Sequence, residues 1–191
     1  MSASLTLLRR PGVAVAVATG GSVLLVARPL VLARTDRPVE ALVLLFTGLL
    51  IVGVRWPARA RVVPEPARPG WDVAAVLVVG LAAFAMGRVL GGGDTPTPAL
   101  ATVIALNTLA AVAEEAFFRR LVYESFLSRG PVVAVVASTT LFAIVHVTVY
   151  GLWVLPLDLA AGLVLSWQRW ASGSWHVPAL THALANILVV I

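Results

Sequence analysis

The chain has 191 residues, 60% hydrophobic and only 12% charged, where a soluble domain carries about 25% charge. Its net charge of +5 is all arginine, placed at segment ends rather than in one solvated patch, which argues against a nucleic-acid partner. With no cysteine, disulfides, thiolate metal sites and a cysteine nucleophile are excluded.

A mean hydropathy of +0.96 and apolar runs of about 15–20 residues predict an all-α polytopic membrane bundle of about seven transmembrane helices. In chain order they are expected at about 11–33, 39–55, 72–90, 98–127, 131–150, 152–169 and 174–191. The first run follows Arg9 and Arg10 like a signal peptide, but no small-x-small cleavage site precedes Arg28, so an uncleaved span is expected. Arg28 interrupts that run and blurs its ends. Between the second and third runs, Arg55–Gly70 holds four arginines and Pro57, Pro64, Pro66 and Pro69, the composition of an extended solvated loop. Gly91-Gly92-Gly93-Asp94 makes the next break. Ser128-Arg129-Gly130-Pro131 and Ala171-Ser172-Gly173-Ser174 are tight turns. No internal repeat of the transporter kind is visible. One membrane domain over 1–191 follows, with chemistry-poor helices over 1–97 and the chemistry over 98–191.

Arginine placement predicts orientation in the cytoplasmic membrane. With the N-terminus inside, the cytoplasmic side receives Arg9, Arg10, Arg55, Arg59, Arg61, Arg68, Arg129 and Arg169, while the outside receives Arg28, Arg34, Arg37 and Arg88. The C-terminus is then outside. Tyr123, Glu124, His176 and Trp153, Trp167, Trp170 and Trp175 read mostly as interfacial anchors.

Three short pieces of the second half carry acid, base and amide groups within apolar helix: Glu114-Glu115-x-x-x-Arg119, Phe142-x-x-x-His146 and His182-x-x-x-Asn186. Each charged side chain held in hydrocarbon costs roughly 2.5–3.5 kcal/mol, so several together imply use. Glu114 and His146 lie on opposite sides of the turn at 129–130, each about 23–25 Å from it at about 1.5 Å per residue. His182 and Asn186 lie about 14 and 20 Å along the last helix from the same membrane side, on one helix face. Acid, imidazoles and amide are therefore expected at one level. Glu115 and Arg119 have the spacing of a helical ion pair, which leaves Glu114, turned about 100° away, to face His146 as a general base. Phe142 is expected to pack and orient His146. Asp158 divides evenly between helix polarity and support of the site.

In this order, these motifs resemble the CPBP family of intramembrane proteases, which contains the CAAX prenyl endopeptidases and the bacterial Abi-type proteins. The resemblance covers about 98–191, with Gly173-Ser174-Trp175 as a similar lead-in to the last helix, and makes 98–191 a catalytic core with 1–97 as accessory helices. It implies peptide-bond hydrolysis within the lipid bilayer. Glu114 and His146 would activate a water, and His182 and Asn186 would stabilise the oxyanion. The implied partner is a membrane-embedded peptide or protein, lipid-modified or not. Two histidines and a glutamate (Glu114, His146, His182) form a set that zinc can use, but this mechanism needs no metal and is the favoured expectation. Two other readings of buried Glu and His groups stand beside it: a catalytically silent membrane scaffold or immunity protein, and a proton-coupled transporter. Gly91–Asp94 also matches an aspartyl-protease pattern, but without a partner aspartate it reads as a turn.

Overall fold

The structure, a computed structural model, describes residues 11–56, 71–90 and 101–190. Among these every regular element is helical, in an all-α membrane bundle of seven helices. They are α1 (Pro11–Leu32), α2 (Pro38–Arg55), α3 (Val73–Leu90), α4 (Ala101–Arg129), α5 (Pro131–Tyr150), α6 (Leu155–Ser172) and α7 (His176–Val190). Helices α1 to α5 are long and apolar enough to cross a membrane. The sequence-predicted bounds fit these helices to within a few residues. The loop over 57–70 and the Gly91–Asp94 break fall outside the described residues.

Prolines start α2 and α5, where a missing N–H costs nothing and the fixed φ is already helical. The α4–α5 turn needs Gly130, whose φ of 111° is strained for a residue with a Cβ. Gly173, at φ 68°, ends α6 in the left-handed conformation and releases the chain toward α7.

α4 is not one regular helix. After Ala101–Glu115 it widens into a π-helical stretch, Ala116–Val122, then returns to α geometry at Tyr123–Phe126 and closes with a 3-10 turn at Leu127–Arg129. Donors from two other helices reach carbonyls of the wide stretch. The Ser138 hydroxyl of α5 donates to the Phe118 carbonyl at 2.9 Å, and Arg169 Nε of α6 to the Arg119 carbonyl at 3.0 Å. Extra donors of this kind stabilise i→i+5 geometry, in which backbone hydrogen bonds are poorly aligned. On the opposite side α2 approaches closely. A Cβ on Gly53 would stand 2.6 Å from the Ala116 backbone.

The widened stretch is the hub of the core. Phe117, Phe118, Leu121 and Val122 pack there with Phe142 and Val145 of α5, Leu165 of α6, Leu25 of α1, and Phe46 and Leu49 of α2. α5 packs on both α1 and α6, and α4 on both α2 and α7. A smaller cluster, Val76, Ala171 and Val177, joins α3 to the ends of α6 and α7. The outer faces carry exposed Val78, Leu44, Leu90 and Val132. In lipid such side chains lose nothing by exposure, so helix association rests on packing and interhelical hydrogen bonds.

Two arginines counted as topology signals are interior. Arg28 projects into the bundle (see below), and Arg169 is buried, donating to Glu124 Oε1 at 3.2 Å and lying 5.1 Å over the Tyr123 ring. Tyr123 and Glu124 thus serve the core, contrary to the expectation of interfacial anchors. His176 is exposed and stacks at 4.2 Å on Trp175.

Candidate active site

Glu114 and Glu115 end the regular part of α4, where the helix is about to widen. The two carboxylates point to different partners, as their 100° separation requires. Glu114 Oε2 lies 3.7 Å from His146 Nε2 on α5. Its other oxygen, Oε1, lies 3.9 Å from an Nη of Arg28 on α1.

His146 is fixed from its far side. Its Nδ1 is 2.7 Å from the Phe142 carbonyl one turn back. A carbonyl oxygen only accepts, so Nδ1 carries the proton and, in the neutral ring, Nε2 presents its lone pair toward Glu114. The Phe142 ring also packs at 4.6 Å centroid distance on the imidazole. Phe142 thus orients His146 through both backbone and ring.

Glu115 is fully buried and, together with Arg119, joins three helices. Arg119 Nη1 donates to Glu115 Oε1 at 3.0 Å, and the same oxygen lies 2.9 Å from His182 Nδ1 on α7. Arg119, also fully buried, donates its other Nη to the Gly162 carbonyl of α6 at 3.2 Å and sits 4.4 Å over the Phe142 ring. A buried ion pair repays its desolvation only with added hydrogen bonds of this kind. The spacing in the sequence anticipates Glu115–Arg119 but not the link to His182. That link fixes the His182 tautomer. The carboxylate accepts from Nδ1–H, so Nε2 can donate only when the ring is an imidazolium, whose charge Glu115 faces.

Asn186, one turn after His182, reaches the Asn107 carbonyl of α4 at 3.5 Å through its amide nitrogen, a long contact that places the amide against α4. Glu114, His146, His182 and Asn186 all line one cavity of about 1010 Å³. Its other walls are mostly apolar, with Phe46 of α2, Phe84 of α3, Leu106 of α4, and Leu157 and Val164 of α6 among them.

Arg28 and Asn107 are among the polar residues of this cavity that the sequence does not assign to it, and Asp158 is one that it leaves evenly divided. Arg28 reads as an exterior charge, yet its side chain is only 12% exposed. The signal was an arginine deep in an apolar run, since roughly 2.5–3.5 kcal/mol is needed to put one there without a partner. Asn107 precedes Glu114 by seven residues, about two turns, and so shares its helix side. Asp158 lines the cavity, with Oδ2 buried and without a hydrogen-bond partner among the described residues. Among the described residues no three His, Cys, Asp or Glu side chains gather closely enough to hold a metal in this arrangement. Both histidines hold Nδ1 in a hydrogen bond and leave Nε2 as the ring nitrogen open to water or to a metal.

Residues 96–188 match the family model described as type II CAAX prenyl endopeptidase Rce1-like. No curated protein and no solved structure matches the chain. The matched segment holds Glu114, Glu115, Arg119, His146, His182 and Asn186 together. Residues 96–188, just under half of the chain, are thus similar to the CPBP/CAAX protease family.

Proposed function

We propose that this integral membrane protein hydrolyses a peptide bond with a water held between Glu114 and His146, and that His182 and Asn186 stabilise the oxyanion. The observation that carries the reading is the gap of 3.7 Å between Glu114 Oε2 and His146 Nε2. It is too wide for a direct hydrogen bond and suits one water that donates to both. Both atoms offer lone pairs, so the water's two protons are taken up and its oxygen is left to attack.

The oxygen adds to the scissile carbonyl carbon as a water proton passes to Glu114. The carbonyl π electrons move onto oxygen, and Nε2–H of His182 as the imidazolium and the Asn186 amide meet that charge. Such donors in a dry site are worth about 3–4 kcal/mol each. Collapse of the intermediate breaks the C–N bond, and the proton held by Glu114 goes to the leaving amine. Glu115 and Arg119 hold His182 and keep its side of the site rigid. No step uses a metal. Metal analysis of purified protein, with activity measured after chelation, separates this route from a zinc one.

The substrate is a membrane-associated peptide or protein. A large, mostly apolar cavity opening among transmembrane helices favours a chain with apolar attachments, and both lipid-modified and unmodified tails fit that description. With Arg28 and Arg169 taken as interior, the remaining arginine asymmetry still favours an inside N-terminus in the cytoplasmic membrane.

The test compares membrane peptides in cells carrying the native chain and the Glu114→Gln variant at equal expression. The expected result is a defined set of fragments that vanish with Glu114→Gln. Identical peptide profiles would overturn the reading and favour a silent scaffold. Substrate-linked proton movement in proteoliposomes without cleavage would favour a transporter.

A further inference from the structure

We infer that Arg28 of α1, outside the family-matched segment, is a positioning residue that holds the Glu114 carboxylate where it takes the proton of the attacking water. The inference rests on the proposed role of Glu114 and adds a helix to the site that performs it.

Geometry carries the argument. One Nη of Arg28 lies 3.9 Å from Glu114 Oε1, while Oε2 of the same carboxylate faces His146 at 3.7 Å. The two carboxylate oxygens are therefore divided between a fixed cation and the imidazole. Arg28 is itself held: its guanidinium lies 5.6 Å over the Phe46 ring of α2, a cation–π placement that limits where the head group can go. The cavity also presents Arg88 of α3, His146 and Tyr150 of α5, Asp158 of α6 and His182 of α7. Among the described residues, Arg28 alone brings a permanent cation within ion-pair distance of Glu114. Without it, Glu114 would share the cavity with a second carboxylate, Asp158, and would have no permanent cation within ion-pair distance among the described residues. The carboxylate would then be free to rotate away from His146. A residue that sets the angle of a base acts on turnover more than on binding, because misplacement by about 1 Å costs about 100-fold in rate.

The experiment uses the full chain in proteoliposomes, with an internally quenched farnesylated Cys-a-a-X peptide and its unmodified counterpart as probes. Four variants are compared with the native protein: Arg28→Gln, Arg28→Lys, Glu114→Gln and the double variant Arg28→Gln/Glu114→Gln. Arg28→Gln is expected to lower kcat by about 100-fold with KM changed less than about threefold. Arg28→Lys, which keeps the charge, should recover at least about tenfold of that loss. The double variant should be no slower than Glu114→Gln alone. Thermal unfolding of the same variants should be non-additive, since two residues in contact share one interaction. An Arg28→Gln protein with native kcat, or one in which only Tm or KM moves, overturns the inference. Additive unfolding shifts overturn it as well. If the native protein cleaves neither probe, the proposed function fails on those substrates, and the unfolding cycle still decides whether Arg28 holds Glu114.

Discussion

The two halves of this molecule are similarly apolar but use that character differently. In α1, α2 and α3 only 17%, 17% and 11% of the most apolar window is buried within the protein, against 39% in both α4 and α5. The first three helices turn most of their surface outward, while α4 and α5 bury a share at least twice as large. This difference decides where charge can be carried. Glu115, Arg119, Gln168 and Arg169 all lie in the second half with almost no exposure, each with a partner from another helix. Among the described residues of the first half, Arg34, Arg37 and Arg55 stand at or beyond helix ends, while Arg28 and Arg88 line the shared cavity. A membrane enzyme thus needs walls as well as machinery. The walls are made of helices whose outer residues answer only to lipid.

The sharpest way to break the comparison is at Glu114. Glu114→Gln keeps the size of the side chain but removes its charge and its capacity to take a proton. Cleavage should fall by about 1000-fold or more, equal to about 4 kcal/mol at about 1.36 kcal/mol per decade. Its Tm should stay within a few degrees of native. Retained cleavage by Glu114→Gln would leave the polar interior without a catalytic role.

Next in size is Arg119→Leu, which strands the fully buried Glu115 carboxylate. Removing one partner of a buried pair costs about 3–5 kcal/mol, so unfolding in detergent should move down by that amount. Arg119→Lys should recover only part, because an ammonium cannot reproduce the fork that spans Glu115 and the Gly162 carbonyl. Unchanged unfolding of Arg119→Leu would mean that the interior tolerates bare charge as well as the lipid-facing half tolerates apolar exposure.

Much of this arrangement was legible in the sequence, because helices in lipid are written in long apolar runs and their polar interruptions are costly. The depth count from the 129–130 turn anticipates the approach of Glu114 to His146. Four-residue spacing anticipates Glu115–Arg119. What stayed hidden depends on contacts between residues far apart in the chain. Arg28 and Arg169 look like topology signals, since a sequence shows that an arginine is near a helix end but not which way it points. His182 was placed near the site by depth alone, and nothing in its own helix says that Nδ1 meets Glu115. The widening of α4 over Ala116–Val122 is also unreadable locally. It is held by Ser138 and Arg169, contributed by helices that follow in the chain.

That widening supplies the finest test of the two-halves contrast, because a single helix of the first half carries both behaviours. On α2, Gly53 faces α4, where an added Cβ would stand 2.6 Å from the Ala116 carbonyl carbon and oxygen. Those atoms are backbone and cannot turn aside. Gly53→Ala must therefore lift α2 from the wide stretch, at about 1–3 kcal/mol. Gly48, between one and two turns earlier, is exposed, and an added Cβ would meet nothing within 4 Å. Gly48→Ala should change unfolding by less than about 0.5 kcal/mol. The two substitutions add the same methyl group to the same helix, so composition and hydropathy cannot separate them. Matched unfolding measurements on the pair would isolate the contact with α4 as the cause. Equal effects would mean that α2 does not lean on the widened stretch, and that the wall stands apart from the machinery it encloses.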